Sequence, residues 1–223
     1  MKQFLKNLLL LLLTLSCGNG YAQKNGQPLI DSLLKELPNA KEDTNKVKLL
    51  NSLSWGYSSI NQNEGVIYGQ QCLELATKLE SKKEIAWANN CIGYNYLNKS
   101  DYPKALEYFQ KALKVHEEIR NKNGVASVNG NIGLVYQNQS DYPKALEYFF
   151  KALKINEETG NKNDLANAIG NIGNVYFHQS DYPKALEYFF KALKIKEENG
   201  DKYSIARIFS TLGNYLIEKA LVI

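Results

Sequence analysis

The sequence is short of the residues that build chemistry. Its 223 residues include two histidines, three cysteines, one methionine and two tryptophans. His116 and His178 lie on different segments with no Cys/His cluster beside either, so no metal ligand set is legible. No glycine-rich phosphate loop appears, and the pairs Glu117-Glu118 and Glu157-Glu158 read as solvated helix surface rather than catalytic carboxylates. No spacing sets a nucleophile beside a base. A catalytic site, a metal and a cofactor are therefore not expected. Proline is also scarce, at five residues, which permits long helices. No stretch alternates apolar and polar with period two, which argues against a sheet. Charge of one sign is lacking as well. The net charge is +4, and no Lys/Arg run exceeds two residues, so the clustered basic face that nucleic acid requires is missing.

What is present begins at the amino terminus. Met1–Gln23 reads MKQFLKNLLLLLLTLSCGNGYAQ, with two lysines before an apolar run at Leu8–Leu15 and small residues after it. This is the charged, apolar and cleavable order of a secretory signal peptide. The run is shorter than the ~20 residues of a membrane span. Gly20-Tyr21-Ala22 supplies a small-x-small site, so cleavage is placed after Ala22 and residues 1–22 are read as the leader. The rival reading lipidates Cys17, although Thr14 stands where a lipobox has an aliphatic residue. Both readings take the chain out of the cytoplasm, to a periplasmic or secreted location. Loss of Lys2 and Lys6 leaves 25 basic against 23 acidic residues, a net +2. The processed chain keeps Cys72 and Cys91. An oxidising compartment would allow them to pair, but each occupies a helical core position, and buried free thiols are the preferred reading.

A repeat follows. SDYPKALEYF starts at Ser100, Ser140 and Ser180, 40 residues apart. Asn121–Gly160 and Asn161–Gly200 agree at 30 of 40 positions, Ser81–Arg120 is a third copy, and Lys46–Glu80 is an older one about one residue shorter in its internal turn. Residues 23–45 form a lead-in helix or linker, 46–80, 81–120, 121–160 and 161–200 four units, and 201–220 part of another in the same register. Each unit reads as two helices. Ala126, Asn129, Ile132, Gly133 and Tyr136 fall at helical spacing, and Ala145, Leu146, Phe149, Ala152, Leu153 and Ile155 form a second apolar stripe. Between them Asp141 can cap the new helix, with Pro143 in its first turn. Gly160 and Gly200 end second helices.

The pattern Ile132, Gly133, Tyr136, Ala145, Phe149, Ala152 resembles the tetratricopeptide repeat. Ile172, Gly173, Tyr176, Ala185, Phe189, Ala192 repeat it, as do Ile92, Gly93, Tyr96, Ala105, Phe109, Ala112. The period of 40 exceeds the family's usual ~34, and Glu117, Glu157 and Glu197 replace its proline near the end of the second helix. The resemblance implies an all-α fold, a right-handed superhelical solenoid of antiparallel helix pairs, with first helices lining a concave groove that binds a protein or peptide. Its groove positions correspond here to Trp87, Asn90, Tyr94, Leu97 and Asn98; to Ser127, Gly130, Leu134, Gln137 and Asn138; to Asn167, Gly170, Asn174, Phe177 and His178; and to Arg207, Ser210, Asn214, Ile217 and Glu218. Four of the ten differences between the two most alike units fall on these slots, at 127/167, 134/174, 137/177 and 138/178, whereas Ser140–Ile155 recurs unchanged as Ser180–Ile195. Asparagine amides can bond an extended backbone of any sequence, and Trp87, Tyr94 and Phe177 can hold apolar side chains. Arg207 is the one groove cation, which disfavours a carboxylate clamp.

Phe150 and Phe190 are expected to pack between repeats, the alternative being an outer apolar strip suited to self-association. The long repeat, the leader and Ile30–Leu34 also resemble the sensor regions of bacterial signalling proteins, in which an array precedes a membrane span and a kinase or regulator. Leu221-Val222-Ile223 occupy the slots of Asp181-Tyr182-Pro183, which points to a truncated form of a longer protein. Membrane contact would come only through a lipid on Cys17 or such a downstream segment.

Overall fold

The computed structural model describes residues 19–200, and among them every regular element is helical. A lead-in helix α1 (Asn19–Glu36) and a short 3₁₀ turn (Leu37–Asn39) precede four helix pairs. These are α2 (Thr44–Tyr57) with α3 (Gln62–Lys78), α4 (Lys82–Asn98) with α5 (Tyr102–Glu118), α6 (Lys122–Asn138) with α7 (Tyr142–Thr159), and α8 (Lys162–His178) with α9 (Tyr182–Glu198). Arg207 and Asn214, with Ser210, Ile217 and Glu218, lie outside the described residues.

The turn inside each of the last three pairs follows from four residues. Ser100, Ser140 and Ser180 take left-handed φ values of 59°, 60° and 62°. That geometry lets Asp141 N–H donate to Tyr136 O at 2.9 Å and Ser140 N–H to Gln137 O at 2.9 Å, which closes the first helix. The same Asp141 then opens the second helix, its carboxylate accepting from Lys144 N–H at 3.3 Å. Pro143 stands in the first turn, where no helical partner awaits its nitrogen. Gly160 ends α7 at φ 68°. The chain thus reverses within three residues, and 17- or 18-residue helices lie back to back.

Packing then stacks the pairs. Phe109, Phe149 and Phe189 are buried against Gly93, Gly133 and Gly173 of the preceding helix. A Cβ on Gly133 would lie 2.6 Å from the Phe149 ring, so glycine is what lets α6 and α7 approach. Removing the Phe149 ring would cost about 3–5 kcal/mol by analogy with other buried phenylalanines. The second helices α3, α5 and α7 also pack on the first helix of the next repeat, and Leu97, Phe109, Val128, Ile132 and Val135 form one cluster across such a junction. A continuous core results, as a solenoid requires. At the amino-terminal end Ile30 of α1 is fully buried against Gly56, so α1 covers the first repeat.

Two expectations are settled by this packing. Phe150 and Phe190 do not pack between repeats; they are 39% and 58% exposed. Phe149 and Phe189 take the inward position, and the following residue is carried about 100° around the helix toward solvent. Cys72 and Cys91 are free, buried thiols, both pushed up to about 12 by burial. Such thiols stay protonated and unreactive at neutral pH.

Candidate ligand groove

The first helices touch one another across each described junction, α2 with α4, α4 with α6 and α6 with α8, whereas the second helices α3, α5 and α7 are each wedged between two first helices. The first-helix side is therefore the inner layer of the curve, and its solvent face is the candidate site.

The structure brings part of the expected set together there. Tyr94 of α4 stacks on Trp55 of α2, with ring centroids 4.8 Å apart and planes at 26°. Trp55 remains 51% exposed. The slot that Trp55 and Tyr94 occupy continues as Leu134 on α6 and Asn174 on α8, both half-buried, so it runs from aromatic to amide along the array. Ser127 and Asn167 are half-buried, and Asn138 and His178 are exposed. Gln137 is half-buried with its Oε1 unbonded. His178 stacks parallel to Tyr142, the first residue of the preceding helix α7, at 6.2 Å, and Phe177 meets Tyr182, the first residue of the following helix α9, edge-on at 5.7 Å, which sets both at the rim beside helix starts.

Other members serve the scaffold. Asn90 is only 2% exposed and accepts from Asn131 Nδ2 at 2.9 Å, tying α4 to α6. Asn98 Nδ2 donates to Ser58 O at 2.8 Å, tying α4 to the end of α2. Trp87 packs edge-on to His116 at 5.3 Å. These polar ties across junctions fix the spacing of the first helices.

The floor of the groove contains a glycine of a different kind from those already described. Among the described residues, a Cβ on Gly130 would meet nothing within 4 Å. Gly170, in the same slot of α8, is buried, and Ala192 Cβ lies 4.0 Å from where a Cβ on it would stand. Gly130 sits mid-helix, where glycine weakens the helix, yet no described residue fills the space.

Trp55 was not among the residues expected in the groove. The signal was present: the stacked pair Tyr57–Tyr68 matches Tyr96–Tyr108, Tyr136–Tyr148 and Tyr176–Tyr188, and counting back from that register puts Trp55 in the slot of Tyr94.

The chemistry of the face is neutral. From α4 to α8 the groove slots carry amide, hydroxyl, aromatic and aliphatic side chains and no ionised group other than the titratable His178. Among the described residues no three of His, Cys, Asp and Glu gather as a metal site would need. No helix among them is long and apolar enough to cross a membrane.

The tetratricopeptide repeat family model matches residues 84–158 and 124–198, together more than half of the 223-residue chain. The chain belongs to the tetratricopeptide repeat family. No curated protein matches it. Solved structures similar to this array include a Rap protein complexed with competence and sporulation factor, at 23% identity and TM-score 0.76, covering 84% of this chain and 54% of that one. Aspartyl phosphate phosphatase F from Bacillus subtilis is similar at 21% identity and TM-score 0.70, covering 93% and 60%. So is a signal transduction ATPase with a tetratricopeptide repeat sensor from Pyrococcus horikoshii, at 20% and TM-score 0.64, covering 83% and 29%. The array thus spans about half the length of the Rap protein. At these identities the likeness is one of fold.

Proposed function

We propose that this tetratricopeptide array is an exported scaffold that holds an extended segment of another protein against its first-helix face. One observation carries the reading: the inner face offers a half-exposed tryptophan stacked on a tyrosine, with open space over Gly130 further along. Large exposed aromatics at a concave face mark interaction sites. Amides at Asn138, Asn167 and Asn174 supply donors and acceptors for a backbone, and the neutral slots suit an uncharged segment better than a terminal carboxylate. The Rap neighbour, a protein solved in complex with competence and sporulation factor, supports an array of this fold holding a partner. Export rests on the Lys2–Ala22 pattern. The scaffold reading needs no catalysis, and no nucleophile–base pair is assigned.

The test is a peptide array probed with the purified chain, followed by titration of the binders. Trp55→Ala and Asn174→Ala should each weaken binding about tenfold or more, as loss of an aromatic or buried polar contact does, while Phe150→Ser on the outer face should not. Binders indifferent to Trp55 and Asn174 would count against the groove. Cell fractionation with amino-terminal sequencing tests export; a chain found intact in the cytoplasm removes that half.

A second reading makes the array the input region of a longer signalling protein. The Pyrococcus neighbour, whose name includes a tetratricopeptide sensor, supports it. Gene sequence continuing beyond Ile223 into a membrane span or a kinase would establish this reading, and a stop codon there would remove it.

A further inference from the structure

One junction of the array contains a group that changes charge near neutrality. The last turn of each second helix buries a side chain at one recurring position, Ala76, His116, Asn156 and Lys196 in chain order, and the first three sit at the seat of the next repeat. Of these, only an imidazole titrates between about pH 5 and 8.

The surroundings of His116 are tight. The ring is fully buried. From α4, Trp87 meets it edge-on at 5.3 Å and 76°. From α6, the first turn presses on it so closely that a Cβ on Gly124 would run into the imidazole. Nδ1 lies 3.2 Å from Asn121 Nδ2, while Asn121 Oδ1 accepts from Gly124 N–H at 3.1 Å as the cap of α6. Nε2 is buried without a partner. The network assigns Nδ1 as acceptor from Asn121 and the proton to Nε2.

Protonation breaks this arrangement at two points. The new Nδ1–H faces the Asn121 amide N–H₂, donor against donor. Asn121 cannot offer its oxygen instead without uncapping Gly124. The charge is also buried between the first turn of α6, whose positive end disfavours it, and the last turn of α5, whose negative end favours it, so the helix ends offset one another and the lost solvation is left uncompensated. No counter-charge is at hand. Lys82 pairs with Glu118 and Lys122 with Glu158 at the surface; Lys83, Glu117 and Arg120 are exposed; and Glu84 of α4 faces Cys72 in the preceding junction.

We propose that the junction between the second and third repeats is an acid-sensitive hinge, which opens when His116 takes up a proton and frees Trp87 at the groove. Each repeat of a solenoid contacts only its neighbours, so the weakening stays at this junction: the first turn of α6 swings away from α5, while the cluster of Leu97, Phe109, Val128, Ile132 and Val135 keeps the two parts joined. Burial lowers the proton affinity of His116 below the ordinary imidazole range. The open form therefore takes the proton first as pH falls through about 6.5. The junction is at full strength above that value and weakens toward the lower value of the closed form. The hinge stands apart from the groove reading; only its effect on a bound segment rests on that reading.

The experiment uses the full chain with Trp55→Phe, so that emission reports Trp87. Between about pH 7.5 and 5, Trp87 emission should shift to the red. Exchange of the first-turn amides of α6, corrected for intrinsic pH dependence, should rise by up to about tenfold per pH unit while one proton is linked. His116→Asn, the residue that fills this slot in the next repeat, should abolish both changes, and His178→Gln should leave them in place. The same acid response in His116→Asn overturns the proposal, as does a pH-independent wild type. Should His116→Asn fail to fold, the imidazole of His116 titrated by NMR in the wild-type chain decides: a depressed midpoint coincident with the exchange change supports the hinge, and an ordinary or non-coincident midpoint overturns it.

Discussion

Replacing Gly130 with alanine should make the protein more stable and its groove less useful. Gly130 lies in the middle of α6 with no left-handed backbone to require glycine, and a Cβ there would touch nothing within 4 Å. Alanine in a helix interior is favoured over glycine by about 0.5–1 kcal/mol. For a chain of this size each kcal/mol moves Tm by roughly 2–4 °C, so the variant should melt about 1–4 °C higher. The added methyl would stand on the groove floor, where an extended backbone is proposed to lie, and should weaken a groove-bound peptide by several-fold or more. Circular-dichroism melts and a peptide titration on the same preparation check both signs. A purely structural glycine predicts the opposite stability change. A fall in Tm would falsify the open floor, and a rise in Tm with unchanged affinity would refute the claim that the space is kept for a ligand.

Gly133→Ala, three residues on, should behave in the reverse manner. Its Cβ would lie 2.6 Å from Phe149, and such overpacking costs about 1–3 kcal/mol, read as a lower Tm with a normal helical spectrum. Cys72 and Cys91 should resist a thiol reagent at pH 8 in the folded protein and react fully in denaturant, because burial lifts both thiols to about 12. The sign of the linkage follows: the thiols favour the folded state below about pH 9, and that contribution is lost as pH climbs toward 12. Rapid labelling of the native protein at neutral pH would contradict it.

Much of the fold could be read because its signals are local. Asp141, Pro143 and the string that follows specify a turn and a helix start within a few residues, and repetition every 40 residues multiplies the evidence. The pairing of Gly133 with Phe149 was legible for the same reason: the family pattern gives both positions. Three features were harder to see. Trp55 lies in the oldest copy, whose shortened internal turn shifts its register by one residue. Phe150 was assigned inward, but two adjacent helical residues cannot both face one core, and Phe149 has the better-placed side. Asn90 was expected to meet a ligand and instead meets Asn131, a partner 41 residues away that only the curvature of the array brings near. Burial of His116 is likewise invisible locally, since the residues that enclose it come from three helices.

The seat of His116 also bears on how nearly identical units keep their order. Across successive junctions the end-of-helix side chain and the residue eight positions later run Ala76 with Glu84, His116 with Gly124, and Asn156 with Asp164. In the first two, bulk on one side is matched by its lack on the other, and in the third two side chains of middle size meet. Excising residues 121–160 would set Asp164 where Gly124 belongs, and the imidazole would have to move aside. Copies that share the sixteen residues from Ser140 to Ile155 are thus made non-interchangeable by their contact faces, which guards the array against sliding by one unit as it assembles.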